Sequence, residues 1–413
     1  MNIMTPIAKP EDVGLDPARL SYIRNYFGSY VDRGKIAGFS TLISRHGEIA
    51  HHEVVGQRDR ERGLPLEKDT IYRIYSMTKP ITSLALMMLY EEGRFQLNHP
   101  VSRYIPAFAN LRVWAGGTVE SYETVPCERE MTIRDLLTHT SGLTYGFMQE
   151  HPVDALYRKA GIDGAATANL SLKEMVEKLA ELPLLFSPGK HWSYSVATDV
   201  CGYLVEVLSG RPLDEFLESR IFAPLNMVDT GFFVPKEKIG RLATNYFRNP
   251  VTKKTGIMDV GDETSSYAKP PRFLSGGGGL VSTMRDYWRF CQMLLNGGEL
   301  EGVRICSPKT IEFMTMNHLP GGKTMKEMSR SAFSELAAEG AGFGLGFQVT
   351  LDPAEAQAVG SPGNFSWGGA ASTYFWIDPS ENLIAIFLTQ LYPSSTYPFR
   401  PQLQQLVYGA ITE

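Results

Sequence analysis

The chain reads as an α+β fold in which helices pack on an antiparallel sheet, with a second, mostly helical domain set into it. Three patterns lead there. Residues 37–58 hold two apolar runs joined by Arg45-His46-Gly47, which reads as a β-hairpin with a tight turn. Residues 371–388 repeat the arrangement around Asp378-Pro-Ser-Glu-Asn382. Between them, Thr132-x-x-Asp135 and Ser171-x-x-Glu174 are capping boxes that open helical stretches.

Along the chain, the first hairpin begins the sheet, and a strand-like Thr70–Tyr75 follows it. From Ser76 a helical run carries Ile81, Leu84, Ala85, Met88 and Leu89 on one apolar stripe and stops before Gly93. Helical patterns dominate 98–240, where Thr198–Leu208 and Pro212–Ile221 succeed the two capping boxes. The polar, turn-rich 249–272 and the aperiodic 318–340 are expected to be loops over the site. Gly276–Gly279 reads as a turn into a helix starting near Thr283-x-x-Asp286, because it lacks the Lys-Ser/Thr of a phosphate-binding loop. The strands Ala371–Ile377 and Leu383–Leu388 complete the sheet, and a helix over Gln402–Ile411 closes the chain. The expected organisation is therefore 1–97 with 241–413 as the sheet domain, 98–240 as the helical domain, and an active site between them.

Composition narrows the function classes. A chain of 413 residues, 43% hydrophobic and 21% charged, is expected to form one or two globular domains. Forty basic against forty-five acidic residues leave a net charge of −5 with no dense basic block, which argues against a nucleic-acid partner. The first ten residues lack a basic patch followed by an apolar core, and apolar stretches such as Leu84–Tyr90 fall far short of the roughly 20 residues that span a bilayer. A cytoplasmic protein without a membrane partner is expected; the oligomeric state is open. Cys127, Cys201, Cys291 and Cys306 are scattered and read as free, mostly buried thiols. The eight histidines are dispersed, and His51-His52 has no ligand spacing and reads as lying on strand faces, so neither a metal nor another cofactor is expected.

The chemistry turns on Ser-x-x-Lys, which occurs three times: Ser76–Lys79, Ser187–Lys190 and Ser266–Lys269. A lysine three residues after a serine reaches its hydroxyl only if both stand on one face of a helix. Pro188-Gly189 breaks that geometry in the second match, and Pro270-Pro271 puts the third in a loop. Only Ser76 stands where a strand gives way to a helix, with Pro80 in the first turn where its missing N–H costs little. The positive field of a helix N-terminus favours a serine alkoxide and disfavours a protonated Lys79, which would leave the amine free to act as a base.

In this order, Ser76-Met-Thr-Lys79, Leu136-Leu-Thr-His-Thr-Ser-Gly-Leu143, Tyr194-Ser-Val196, Gly276-Gly-Gly-Gly-Leu-Val-Ser-Thr283 and Trp367-Gly-Gly369 resemble the superfamily of serine β-lactamases, penicillin-binding proteins and family VIII carboxylesterases, most of all its esterase branch. The resemblance runs from about residue 10 to the final helix and implies a β-lactamase/transpeptidase-like fold. It also implies roles. Ser76 is the nucleophile, and Lys79 and Tyr194 share its proton as general base and acid. The backbone amides of Ser76 and Ala370 form the oxyanion hole.

Two positions depart from the lactam-binding members. Val196 stands where they usually carry Asn, and Trp367-Gly368-Gly369 stands where they carry Lys-Thr-Gly, so the cation that would pair with a substrate carboxylate is gone. The resemblance therefore points to a carboxylesterase acting on short uncharged esters. β-Lactamase, D-Ala-D-Ala carboxypeptidase and acyl transferase remain as alternatives on the same scaffold, and weak lactam hydrolysis is expected as a side activity.

Tyr145, Phe147, Met148, Trp192 and Phe365 adjoin the motifs and are candidates to line the pocket, while His139 reads as a structural element of its motif. An α/β-hydrolase is disfavoured because no Gly-x-Ser-x-Gly occurs, and a zinc-dependent lactamase by the scattered histidines. A non-catalytic binding protein would be expected to have lost Ser, Lys or Tyr, and all three are present.

Overall fold

The computed structural model describes residues 7–163, 167, 169–329 and 339–413. Its largest sheet has eight strands: β1 (Gly38–Arg45), β2 (Glu48–Asp59), β3 (Leu64–Pro65), β4 (Ala341–Phe343), β5 (Gln348–Thr350), β6 (Phe365–Gly369), β7 (Thr373–Asp378) and β8 (Leu383–Leu388). They lie in the order β4-β5-β6-β7-β8-β1-β2-β3, and every neighbouring pair is antiparallel. The two predicted hairpins meet where β1 pairs with β8, with Leu42 opposite Ile386.

Both faces of this sheet are covered, which is why its central strands read as continuous apolar runs. Along β8, Ile384, Ile386 and Leu388 face one core while Leu383, Ala385 and Phe387 face the other, the two-residue period of a strand. On the second face lie the helices α1 (Pro17–Asp32) and α6 (Phe399–Tyr408). There the Phe27 ring sits 4.9 Å from Phe387 and 5.7 Å from Phe399. Burying each such ring contributes roughly 1.5–3 kcal/mol. On the first face, Tyr287 of α5 (Met284–Leu295) packs edge-on against Phe375 at 5.1 Å.

The helix that carries the Ser-x-x-Lys motif is α2 (Thr78–Glu91). Every residue of it from Thr78 to Leu89 is buried, so the predicted apolar stripe is one side of a helix enclosed all round. Polar side chains on its other side are satisfied internally, as Thr82 Oγ1 is by donating to Gly276 O at 2.8 Å. It packs against α4 (Ala197–Ser209), which lies near α3 (Leu172–Ala180).

Several elements differ from expectation. A hairpin, Arg112–Gly117 with Tyr122–Pro126, interrupts the helical stretch 98–240; its residues are mostly exposed or half-buried, so no apolar alternation marks it. Within 249–272, Thr255–Asp259 is a strand paired with Asn245–Arg248 instead of loop. Helix α6 begins three residues earlier than expected, since Pro401 is accommodated in its first turn, and it ends at Tyr408. Of the expected loop 318–340, residues 330–338 lie outside the described residues, and Met325–Met328 is one helical turn. Both capping boxes form, at Thr132 and at Ser171. Cys201, Cys291 and Cys306 are buried and Cys127 is half-buried. Among the described residues no helix is long and apolar enough to cross a membrane.

Candidate active site

Ser76 lies in a single 3-10 turn, Tyr75–Met77, that leads directly into α2 and puts Lys79 in the first helical turn. The strand before it is only two residues long, Tyr72–Arg73, paired with Val281–Ser282. Tyr75 adopts φ 43°, a left-handed conformation that costs a non-glycine residue roughly 1–2 kcal/mol. Its phenol is held there by accepting from Asn245 Nδ2 at 2.8 Å. Beneath it the fully buried Arg73 is neutralised by Asp259 and also donates to Ser265 Oγ at 3.0 Å. This ties the 255–259 strand to the nucleophile turn.

The other two serine motifs are not helical. Ser187 Oγ accepts from Glu128 N at 2.8 Å while Lys190 pairs with Glu128. Ser266–Lys269 runs through turns.

At the motif selected by the sequence, three polar groups converge. Tyr194 OH donates to Ser76 Oγ at 2.6 Å, and Lys79 Nζ donates to Ser76 Oγ at 3.3 Å and to Gly277 O at 2.7 Å. Lys79 Nζ also stands 4.4 Å from the centre of the Tyr194 ring and 5.4 Å from that of Tyr145. Burial lowers the Lys79 pKa to about 7, against the pull of the Asp199 charge, which raises it. The depression foreseen from the helix terminus is thus dominated by desolvation. Burial thereby favours the free amine, the form able to take a proton.

Around this centre the aromatic side chains form a continuous patch. Tyr145 lies 5.2 Å from Tyr194 and stacks on Phe147 at 4.7 Å, and Phe147 is 44% exposed at the rim. Trp367 of β6 meets Tyr194 at 5.6 Å and Phe343 edge-on at 5.4 Å. Trp192 lies behind, parallel to Tyr194 at 6.4 Å. Met148 is half-buried in the turn after Phe147, and Phe365 packs into the core against Phe347 at 5.0 Å. His139 is buried among Trp192, Tyr194 and Phe343, with Nδ1 3.1 Å from Ser195 Oγ. Burial, with Lys79 nearby, holds its pKa well below the usual value.

The strand β6 comes against the serine turn at Gly369, where any Cβ would collide with Ile74 O and Thr373 Oγ1. The Trp367-Gly368-Gly369 segment is strand, whereas Ala370 begins the turn into β7, in which Ser372 donates its N–H to Gly369 O at 3.1 Å.

Sequence reasoning did not single out two groups that the structure places around Lys79, Asp199 and the Gly277 carbonyl. The signal available was an acid in the first turn of the helix after Tyr194-Ser-Val196, and a glycine run with no phosphate motif to explain it.

Known proteins resemble the chain throughout. The sequence matches the Beta-lactamase family over residues 23–408. Esterase EstB of Burkholderia gladioli is 31% identical over 424 residues, 98% of each chain. Protein Rv1367c of Mycobacterium tuberculosis (strain ATCC 25618 / H37Rv) is 35% identical over 88% of each chain. Among solved structures, EstCE1, a hydrolase with promiscuous acyltransferase activity, superposes with a TM-score of 0.77 at 26% identity, covering 95% of this chain and 99% of its own.

Proposed function

The chain belongs to the Beta-lactamase family and has its β-lactamase/transpeptidase-like fold, and on that premise we propose that it is a carboxylesterase cleaving short, uncharged esters through an acyl-enzyme on Ser76. The observation that carries the reading is Ser76 Oγ within 3.3 Å of Lys79 Nζ and 2.6 Å of Tyr194 OH. Lys79 takes the hydroxyl proton as Oγ bonds to the ester carbonyl carbon, and the carbonyl electrons move onto oxygen. The amides of Ser76 and Ala370 receive that oxyanion. When the carbon–oxygen bond to the alcohol breaks, the leaving oxygen takes a proton through Tyr194. Water then repeats the sequence on the acyl-serine and releases the acid.

In this reading the helical segment of about 98–240 forms one lobe and the sheet-bearing remainder another. Tyr145, Phe147, Trp192 and Tyr194 come from the first, and Ser76, Lys79, Trp367, Gly368 and Gly369 from the second. Trp367 places an apolar ring beside Tyr194, and no cation at that position, which favours a neutral ester over a substrate carrying a carboxylate.

A purified-protein comparison of p-nitrophenyl acetate or butyrate with a cephalosporin and a D-Ala-D-Ala peptide tests the assignment. Ester hydrolysis should dominate and should vanish in Ser76→Ala with folding retained. Full activity in that variant, or much faster turnover of the cephalosporin or peptide, would refute it. A second reading, transfer of the acyl group to an alcohol in place of water, is favoured by the likeness to EstCE1 and is read out by adding an alcohol acceptor to the same assay.

A further inference from the structure

Asp199 lies in the first turn of α4, five residues beyond Tyr194, and is 3% exposed. A carboxylate taken out of water must be held by donors. Here Oδ1 accepts from Ser275 Oγ at 2.6 Å and from Gly277 N at 3.0 Å. The same glycine presents its carbonyl to Lys79 Nζ at 2.7 Å. A Cβ on Gly277 would stand 2.7 Å from Asp199 Oδ2, so the carboxylate lies flat against the turn and only glycine lets it. Gly277 is thus gripped at both polar ends, by the acid through its N–H and by the lysine through its C=O.

We propose that Asp199 is the positioning residue for Lys79: it fixes the Ser275–Gly277 turn whose carbonyl aims the amine at Ser76, and its charge stabilises the ammonium formed when that amine takes the serine proton. The inference rests on Lys79 being the base. In that step the Ser76 O–H bond breaks, the proton joins the Lys79 lone pair, and the oxygen electrons go to the ester carbon. A cation then exists in a buried site, where a nearby anion is worth far more than in water.

The groups that face Lys79 from the surrounding elements are Asp199 on α4, the phenols of Tyr194 and Tyr145, and His139. Of these, Tyr194 OH donates to Ser76 Oγ, while burial holds the His139 pKa well below its ordinary value and drives the Tyr145 phenol well above its own. Asp199 is therefore the member of the group that supplies a negative charge. Burial disfavours the Asp199 anion as well, and the Ser275 and Gly277 donors together with Lys79 work to keep it ionised.

Asp199→Asn keeps an oxygen that can accept from Ser275 and Gly277 but removes the charge. The expected result is a fall in kcat of about 10-fold or more, KM little changed, and an acid limb of the pH–rate profile displaced to lower pH, because the group that raised the lysine pKa is gone. NMR titration of the Lys79 amine in the Ser76→Ala background should move the same way, independently of turnover. A variant that folds with an unmoved acid limb and unmoved lysine titration overturns the proposal, whatever happens to KM. If Asp199→Asn does not fold, Ser275→Ala, which removes one donor and keeps the charge, should lower kcat several-fold; an unchanged kcat overturns the proposal equally. Lys79→Ala separates the two levels: activity retained there ends the reading of Lys79 as base, whereas an inactive Lys79→Ala beside an Asp199→Asn with an unmoved profile ends the role of Asp199 alone.

Discussion

A lysine serves as a base near neutral pH only where something removes its charge, and at Lys79 that is enclosure by α2 and its neighbours, which brings the pKa to about 7. In the proposed mechanism the active form is the deprotonated one, so kcat/KM for a p-nitrophenyl ester should rise as pH passes through about 7 and level off above it. A flat profile between about pH 6 and 8 would show that some other group takes the proton. Lys79→Ala and Tyr194→Phe should each lower kcat on the order of 10²-fold, as loss of a general base or acid does. Ser76 and Lys79 stand out in the sequence because their motif has a local helical geometry, whereas Tyr194 is singled out only by the family resemblance. Asp199 and Gly277 were not, because their part is a hydrogen bond between segments 78 positions apart.

Among the elements, the site depends on how closely β6 approaches the Tyr75–Met77 turn. Gly369 has no room for a methyl group between Ile74 O and Thr373 Oγ1, so Gly369→Ala must push the strand away from the serine. Overpacking of this kind costs about 1–3 kcal/mol. The expected outcome is a lowered melting temperature together with loss of ester hydrolysis of about 10-fold or more; wild-type kinetics with unchanged melting would show that the approach of the strand is not needed. The capped helices and the two terminal hairpins were readable because caps, turns and alternation are local signals. The 112–126 hairpin and the 255–259 strand were not, since neither buries the regular apolar face from which strands are recognised.

Across the whole molecule, the sheet is covered on both faces, and enclosure imposes a cost on groups that titrate. His52, on β2, is pushed down to about 4 by burial, with Lys68 and His51 adding to the effect. Its folded pKa is below the unfolded 6.5, so the unfolded chain binds the proton first and stability falls as pH drops from about 6.5 to about 4, with no further loss from this group below that. The full span is worth about 3 kcal/mol. His51, His139 and His318 are lowered in the same direction. His52→Gln should therefore unfold at lower pH than the wild type, with the two alike near pH 8, as followed by circular dichroism; coincident acid transitions would refute this.

Local chemistry was enough to establish the fold class, the two hairpins that meet as β1 and β8, and which of three Ser-x-x-Lys motifs has helical geometry. Turn residues, caps and periodicity all act within a few positions of one another, so the order of amino acids displays them directly. What surrounds the lysine is a different matter: how deeply it is buried, which carbonyl receives its second hydrogen bond, and which acid lies behind that carbonyl emerged from the folded molecule. Desolvation and hydrogen bonds between distant segments exist only once the chain has closed on itself, so no local pattern encodes them.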